Sequence, residues 1–205
     1  MTGKFIVFEG PDGAGKSTQL TLVARELADA GIEVHCTREP GGTELAETLR
    51  GFAFNNSLSP LMDTCIMYAA RMHHFVHMIE PMLCEGKWIL CDRYTSSTYA
   101  YQSVKGVDMS TLHQMEQSYL SSFIGRKATP DLEVFLDVTP DVSATRRMAR
   151  KGPDDRFEDL VNQVYLKYYQ RYSGFAPSWK LHKVDASVKM NDVTEAIMNE
   201  IRTLL

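Results

Sequence analysis

The chain has 205 residues, 44% of them hydrophobic, and a net charge of −4, which is enough apolar material for one good core. The negative balance argues against a nucleic-acid-binding surface, although a local basic cluster can still grip a small anion. No apolar stretch is long enough to suggest a membrane span, and "MTGKFIVFEG" enters a strand pattern without signal-peptide features, so a cytoplasmic protein is expected.

The first element is the unbroken apolar run Phe5, Ile6, Val7 and Phe8, which reads as a strand buried on both faces. It is followed by "GPDGAGKS", which fits G-x-x-x-x-G-K-[ST] with Gly10, Gly15, Lys16 and Ser17 in the fixed places. Leu20, Val23, Ala24, Leu27 and Ala28 then recur at helical spacing until Gly31, a residue suited to closing a helix. A strand–loop–helix context is what a phosphate loop needs. Glycines let backbone N–H groups turn around an anion, and the helix N-terminus adds partial positive charge. Lys16 can reach the β- and γ-phosphates, and the Ser17 hydroxyl can ligate Mg²⁺. The loop is therefore expected to hold a nucleoside triphosphate.

Further strands are predicted at 32–36 ("IEVHC"), 87–91 ("KWILC"), 132–136 ("LEVFL") and 180–184 ("KLHKV"), with helical patterns between them. This alternation predicts a three-layer α/β sandwich of the P-loop NTPase type, with a mostly parallel five-stranded sheet and a small basic lid. The first, third and fourth strands should be central, and "KLHKV", which alternates, should lie at an edge. No repeat or linker divides the chain, so residues 1–205 are read as a single domain. Cys36, Cys65, Cys84 and Cys91 lack C-x-x-C spacing and have apolar sequence neighbours, which predicts buried, reduced thiols.

Functional residues should follow the strands, because ligands in such sheets collect beyond the carboxyl ends. After the second strand comes "TREPGGT": Arg38 can fork onto a phosphate, and a helix should begin at Thr43 or Glu44. After the third comes "CDRY", where Asp92 can hold Mg²⁺ directly or through water and Arg93 can bridge phosphates; a plain salt bridge between neighbours is the alternative. After the fourth, "VTPDVSATRRMARKGPDDRFED" gathers Arg146, Arg147, Arg150, Lys151 and Arg156 around a Gly-Pro break. A charge run ordinarily means a solvated helix face. Phosphoryl transfer, however, needs mobile positive charge over the bridging phosphates and exclusion of water, and a basic lid over about 146–158 would supply both.

Taken together, "FEGPDGAGKST", "TREPGGT", "YAAR", "DRY" with "AYQ", "PDLEVFLDVTP" and "DRFE" resemble the thymidylate kinases, enzymes that transfer the ATP γ-phosphoryl group to dTMP. The likeness spans essentially the whole chain in the family's order. It resembles the bacterial-like group, in which the lid supplies the arginine, since Pro11, Asp12, Gly13 and Ala14 leave none in the loop. The resemblance implies that Gly10, Asp12, Gly13, Ala14, Gly15, Lys16, Ser17, Thr18 and Arg147 serve ATP. It implies that Asp12 meets the sugar 3′-hydroxyl of dTMP, that Arg38 and Arg93 meet its 5′-phosphate, and that Arg71 donates to thymine O4. Thr98 and Tyr101 would line the thymine and sugar, and Phe157 and Glu158 would lie over the deoxyribose. Lys16, Arg93, Arg150 and Asp12 form the implied catalytic set, and Ser17, Asp92 and Glu158 the implied Mg²⁺ set. Which of Arg146, Arg150 and Lys151 reaches the phosphates stays open, because lid lengths vary. A homodimer with ATP and dTMP as its small-molecule partners is also implied, with neither nucleic acid nor membrane.

One position departs from that pattern. Where the family usually stacks a phenylalanine on thymine, this chain has Met67, so the contact over the base falls to Met67 or is shared with Tyr68. His73, His74 and His77 lie on one predicted helix, where a spacing of four could bind a metal; packing or dimer contact is the blander reading. Two rival functions stay open: a kinase for another or a broader set of monophosphates, and a nucleotide-dependent regulator with no acceptor.

Overall fold

The computed structural model describes residues 3–123, 128–151 and 156–205, without the side chains of 147–151 and 156–161. Its centre is a five-stranded parallel sheet of β1 (Phe5–Glu9), β2 (Val34–Arg38), β3 (Trp88–Asp92), β4 (Leu132–Asp137) and β5 (Leu181–Asp185), in the order β2-β3-β1-β4-β5. β1, β3 and β4 are thus central, and β5 is an edge strand.

The period of two along β1 explains the layers. Ile6 and Phe8 join a core with Leu20, Val23 and Leu27 of α1 (Lys16–Asp29) and with Val193, Ile197 and Ile201 of α9 (Met190–Arg202). Phe5 and Val7 face the other way. Their partners are Tyr68 of α3 (Pro60–His74), Phe75 and Ile79 of the π-helical segment Phe75–Ile79, and Tyr119 of α6 (Met109–Ser121). Between and after these run α2 (Glu44–Asn55), α4 (Glu80–Cys84), α5 (Thr95–Val104), α7 (Pro140–Lys151) and α8 (Arg156–Gly174).

β2 begins two residues later than the sequence pattern suggests. The Ile32 amide is tied to the Leu27 carbonyl (3.0 Å) in the closing turn of α1 around Gly31, so Ile32 cannot yet join the ladder. The strand instead extends to Arg38, which pairs with Asp92. Thr43 caps α2 by accepting the Ala46 amide, so the helix itself starts at Glu44.

The cysteine expectation needs correction. All four thiols are free, but Cys36, Cys65 and Cys84 are exposed and only Cys91 is buried. Cys65 and Cys84 sit on the solvent side of amphipathic helices, and Cys36 lies on an edge strand, where apolar neighbours in sequence do not imply cover. Among the described residues, no helix is long and apolar enough to cross a membrane.

Candidate active site

The phosphate loop closes onto α1 through Gly15 in the left-handed conformation (φ 97°). Gly13, Gly15, Lys16, Ser17 and Thr18 line a small cavity of about 130 Å³ together with Asp12, Asp92 and Arg93. Ala14 lies on the other side of the loop, packed in the core, and Gly10 also lies outside the cavity wall. Lys16 is buried, with Nζ donating to the carbonyls of Gly10 (2.9 Å) and Pro11 (3.0 Å). Burial first, and then the positive charge of Arg93, bring its pKa down to about 8.

At the same end of the sheet, Ser17 Oγ donates to Asp92 Oδ2 (2.9 Å), while Asp92 Oδ1 is buried with no hydrogen-bond partner. A hydroxyl beside an under-used carboxylate is a hard-oxygen pair of the kind Mg²⁺ takes, so the residues present fit that ion.

A second cavity of about 400 Å³ adjoins the first and shares Asp12, Asp92 and Arg93 with it. Arg93 is the pivot. Its backbone is left-handed (φ 78°), a strained state for a residue with a Cβ, and is held there by its amide donating to the Phe8 carbonyl (2.9 Å). Nη2 donates to Asp12 Oδ1 (2.5 Å) and Tyr101 Oη (3.1 Å), and Nη1 to the Gly10 carbonyl, Ser97 and Tyr168. Desolvation opposes ionisation of Asp12, but the charges of Arg93 and Lys16 outweigh it and hold the carboxyl below its usual range. Beneath this array, the buried carboxylate of Glu9 accepts from the amides of Tyr94 and Ser97 and from the hydroxyls of Ser97 and Tyr168.

Arg38 lines the second cavity and is ion-paired with Glu47 (2.8 Å). Deeper in, Arg71 donates through Nε to Glu39 (2.6 Å) and through Nη2 to Thr98 Oγ1 (2.9 Å) and the Tyr94 carbonyl (3.0 Å). Its Nη1 is buried without a partner, a donor left over at the cavity wall. Of the two residues named for the contact over the base, Met67 is in that wall and Tyr68 is not. Tyr68 packs in the core against Tyr119 and under the Arg71 guanidinium, 5.0 Å from the ring centre, because adjacent helical residues point about 100° apart.

Glu39, Arg50, Gln102 and Lys105, which line the second cavity, and Glu9 beneath it also belong to the site, although no sequence expectation assigned them a role. Arg50 donates to the Pro40 carbonyl at the cavity rim, and Gln102 brings a second unpartnered buried atom, its Oε1. Glu9, Glu39 and Gln102 stand inside motifs that were legible, so the signal was present without a role attached. The side chains of Arg147, Arg150, Lys151, Phe157 and Glu158 lie outside the described residues. His73 hydrogen-bonds Thr43 (2.9 Å) and its ring lies 4.2 Å from that of His77, and the described residues contain no cluster of three metal-ligating side chains.

A phosphate loop between strand and helix, beside a second cavity joined to it through Asp12, Asp92 and Arg93, is the arrangement of an α/β nucleotide phosphotransferase of the nucleoside monophosphate kinase class. The sequence profile of the thymidylate kinase family matches residues 8–197. The chain is 36% identical to a thymidylate kinase of Thiobacillus denitrificans, over 100% of this chain and 97% of the relative. It is likewise 36% identical to one of Nitrosomonas eutropha (97% and 92% covered) and 41% identical to one of Paracidovorax citrulli (83% and 79%). The chain belongs to the thymidylate kinase family.

Proposed function

We propose that the chain transfers the γ-phosphoryl group of ATP to dTMP, giving dTDP and ADP. The observation that carries this reading is the sharing of Asp12, Asp92 and Arg93 by the two cavities. One cavity has the size and loop chemistry for ATP phosphates, and the other has room for a nucleotide, with arginines at its mouth and an unpaired donor at its depth. A phosphate oxygen of dTMP attacks the γ-phosphorus in line, the bond to the β,γ-bridging oxygen breaks, and ADP leaves with the electron pair. Lys16 and Arg93 spread the developing charge, and positioning supplies the rest.

Arg38 and Arg93 hold the acceptor phosphate, Asp12 the sugar hydroxyl, and Tyr101 and Thr98 the sugar and base side. Met67 covers the thymine, Arg71 Nη1 donates to O4, and Gln102 Oε1 accepts from N3–H, a pairing that cytosine cannot match. Ser17 and Asp92 would hold Mg²⁺, joined by Glu158, and the ion neutralises phosphate charge when bound. Arg147 serves the adenine, Arg150 the transferring group, and Phe157 the deoxyribose; these three rest on the family resemblance.

The reading extends to a cytoplasmic homodimer. Leu61, Met62 and Met72 on α3, with Leu45 and Phe52 on α2, are large apolar side chains left exposed, and a second copy of this chain would cover them. A monomeric mass by sedimentation equilibrium rejects the dimer.

The enzymatic core is tested by coupled ADP release over a panel of nucleoside monophosphates. Turnover should be greatest with dTMP. Equal turnover across the panel points to a broad kinase, and ATP binding without any acceptor to a regulator.

A further inference from the structure

Arg71 has five N–H donors on a plane that can pivot about its stem, yet base reading needs one of them presented at one place. The structure shows what stops the pivot. Glu39, 2% exposed, takes Arg71 Nε on one carboxylate oxygen (2.6 Å) and His74 Nδ1 on the other (3.0 Å). Arg71 and His74 are three residues apart on α3, so a single carboxylate clasps one face of that helix at two points. The far nitrogen of the fully buried His74 ring meets Thr37 Oγ1 on β2 at 2.8 Å. Gly42 lies flat against this contact: a Cβ there would stand 2.3 Å from His74 Nε2 and 2.7 Å from Thr37 Oγ1. The chain Thr37–His74–Glu39–Arg71 therefore runs unbroken from the sheet to the cavity wall.

A buried ion pair of this kind is ordinarily a structural anchor, and by itself it says nothing about substrate. The distribution of donors says more. Glu39 occupies Nε, Thr98 and the Tyr94 carbonyl occupy Nη2, and Nη1 alone is unpaired. Three of the five donors are thus occupied, and with the guanidinium plane fixed at Nε and Nη2 the two N–H groups of Nη1 are the ones left to face the cavity.

We propose that Glu39 is a specificity-determining positioning residue for base selection. It acts through Arg71, and Thr37 and His74 hold its carboxylate in place. This rests on the dTMP kinase reading. A fixed Nη1 rewards the O4 carbonyl of thymine and meets the 4-amino donor of cytosine head on. Loosening it weakens the first contact and relieves the second, so selectivity falls from both sides.

The test measures kcat and KM for dTMP, dCMP and ATP, with thermal unfolding, in the whole enzyme and in Glu39→Gln and Thr37→Val. Glu39→Gln is expected to raise the dTMP KM about tenfold and to lower the dTMP/dCMP ratio of kcat/KM by at least as much, with the ATP KM within about twofold of the parent. Thr37→Val, which leaves the buried ion pair intact, should move both quantities in the same direction by about threefold. It carries the test alone if Glu39→Gln does not fold. An unchanged dTMP/dCMP ratio in a folded variant, or parallel losses for dTMP and ATP, overturns the inference. A parent enzyme that does not phosphorylate dTMP overturns the functional reading instead.

Discussion

Ser17 Oγ and Asp92 Oδ2 lie 2.9 Å apart, joining the first turn of α1 to the end of β3 across 75 residues of sequence. The contact brings a hydroxyl and a carboxylate to the floor of the phosphate cavity, with Asp92 Oδ1 unpaired. Ser17→Ala and Asp92→Asn should each raise the Mg²⁺ concentration for half-maximal turnover by about tenfold or more, while leaving the protein folded. A Mg²⁺ titration with an unshifted midpoint in both variants removes the pair from ion binding.

Lys16 gives a mutational and a pH expectation. Lys16→Met should cut turnover by about 10²–10³-fold, because the lost charge acts on the transition state. In the free enzyme the lysine has a pKa of about 8, depressed by burial and Arg93, so it turns neutral as pH rises through that value. ATP affinity should therefore decline above about pH 8. That decline should be missing in Lys16→Met. The stability sign is the reverse: between about 8 and the ordinary lysine value the unfolded chain binds more protons, so this group's burial penalty is full below the window and fades as pH rises. Pairing ATP titrations with melting curves from pH 7 to 10 would expose a wrong sign in either.

In the proposed function, base choice rests on the unpaired atoms Arg71 Nη1 and Gln102 Oε1. dTMP and dUMP should be accepted and dCMP disfavoured by about 10–100-fold in kcat/KM, the cost of facing a buried donor with a donor. Comparable efficiency with dCMP would contradict the assignment.

Met67 and Tyr68 separate cleanly by their surroundings. Met67→Phe should tighten dTMP binding by at most about tenfold, with ATP affinity and saturating turnover unchanged, since ring stacking replaces a thioether contact and is felt equally in ground and transition states. Tyr68→Ala should cost about 3 kcal/mol of stability, because it empties a core position. A melting temperature unmoved by Tyr68→Ala, or one lowered by Met67→Phe without a gain in dTMP affinity, would reverse the two roles.

What could be read from the sequence follows the range of the interactions. The phosphate loop was legible because the backbone path around an anion demands glycines at fixed intervals, and the strands because burial on both faces leaves continuous apolar runs. Local reading was weakest where one residue of register exchanges two environments, as at Met67 and Tyr68, or where a helix closure borrows a residue from the next strand, as at Ile32. Glu39 stood inside a recognised motif, but its partners Arg71 and His74 lie more than 30 residues away on another element. No spacing rule connects them.

Arg38 and Asp92 are opposite one another in the parallel ladder of β2 and β3. Neighbouring strands lie about 4.8 Å apart, a distance set by peptide hydrogen bonds and indifferent to side-chain identity. The backbones that carry the Arg38 guanidinium and the Asp92 carboxylate are thus mounted on a rigid gauge that point substitutions elsewhere in the cavity cannot stretch. Under the proposed reading a different base meets the cavity at its other end, around the side chains of Met67, Arg71 and Gln102. Substitutions of the wall side chains Met67, Arg71 and Gln102 therefore leave the backbone spacing of Arg38 and Asp92 unchanged, whereas an inserted or deleted residue in β2 or β3 would shift their register.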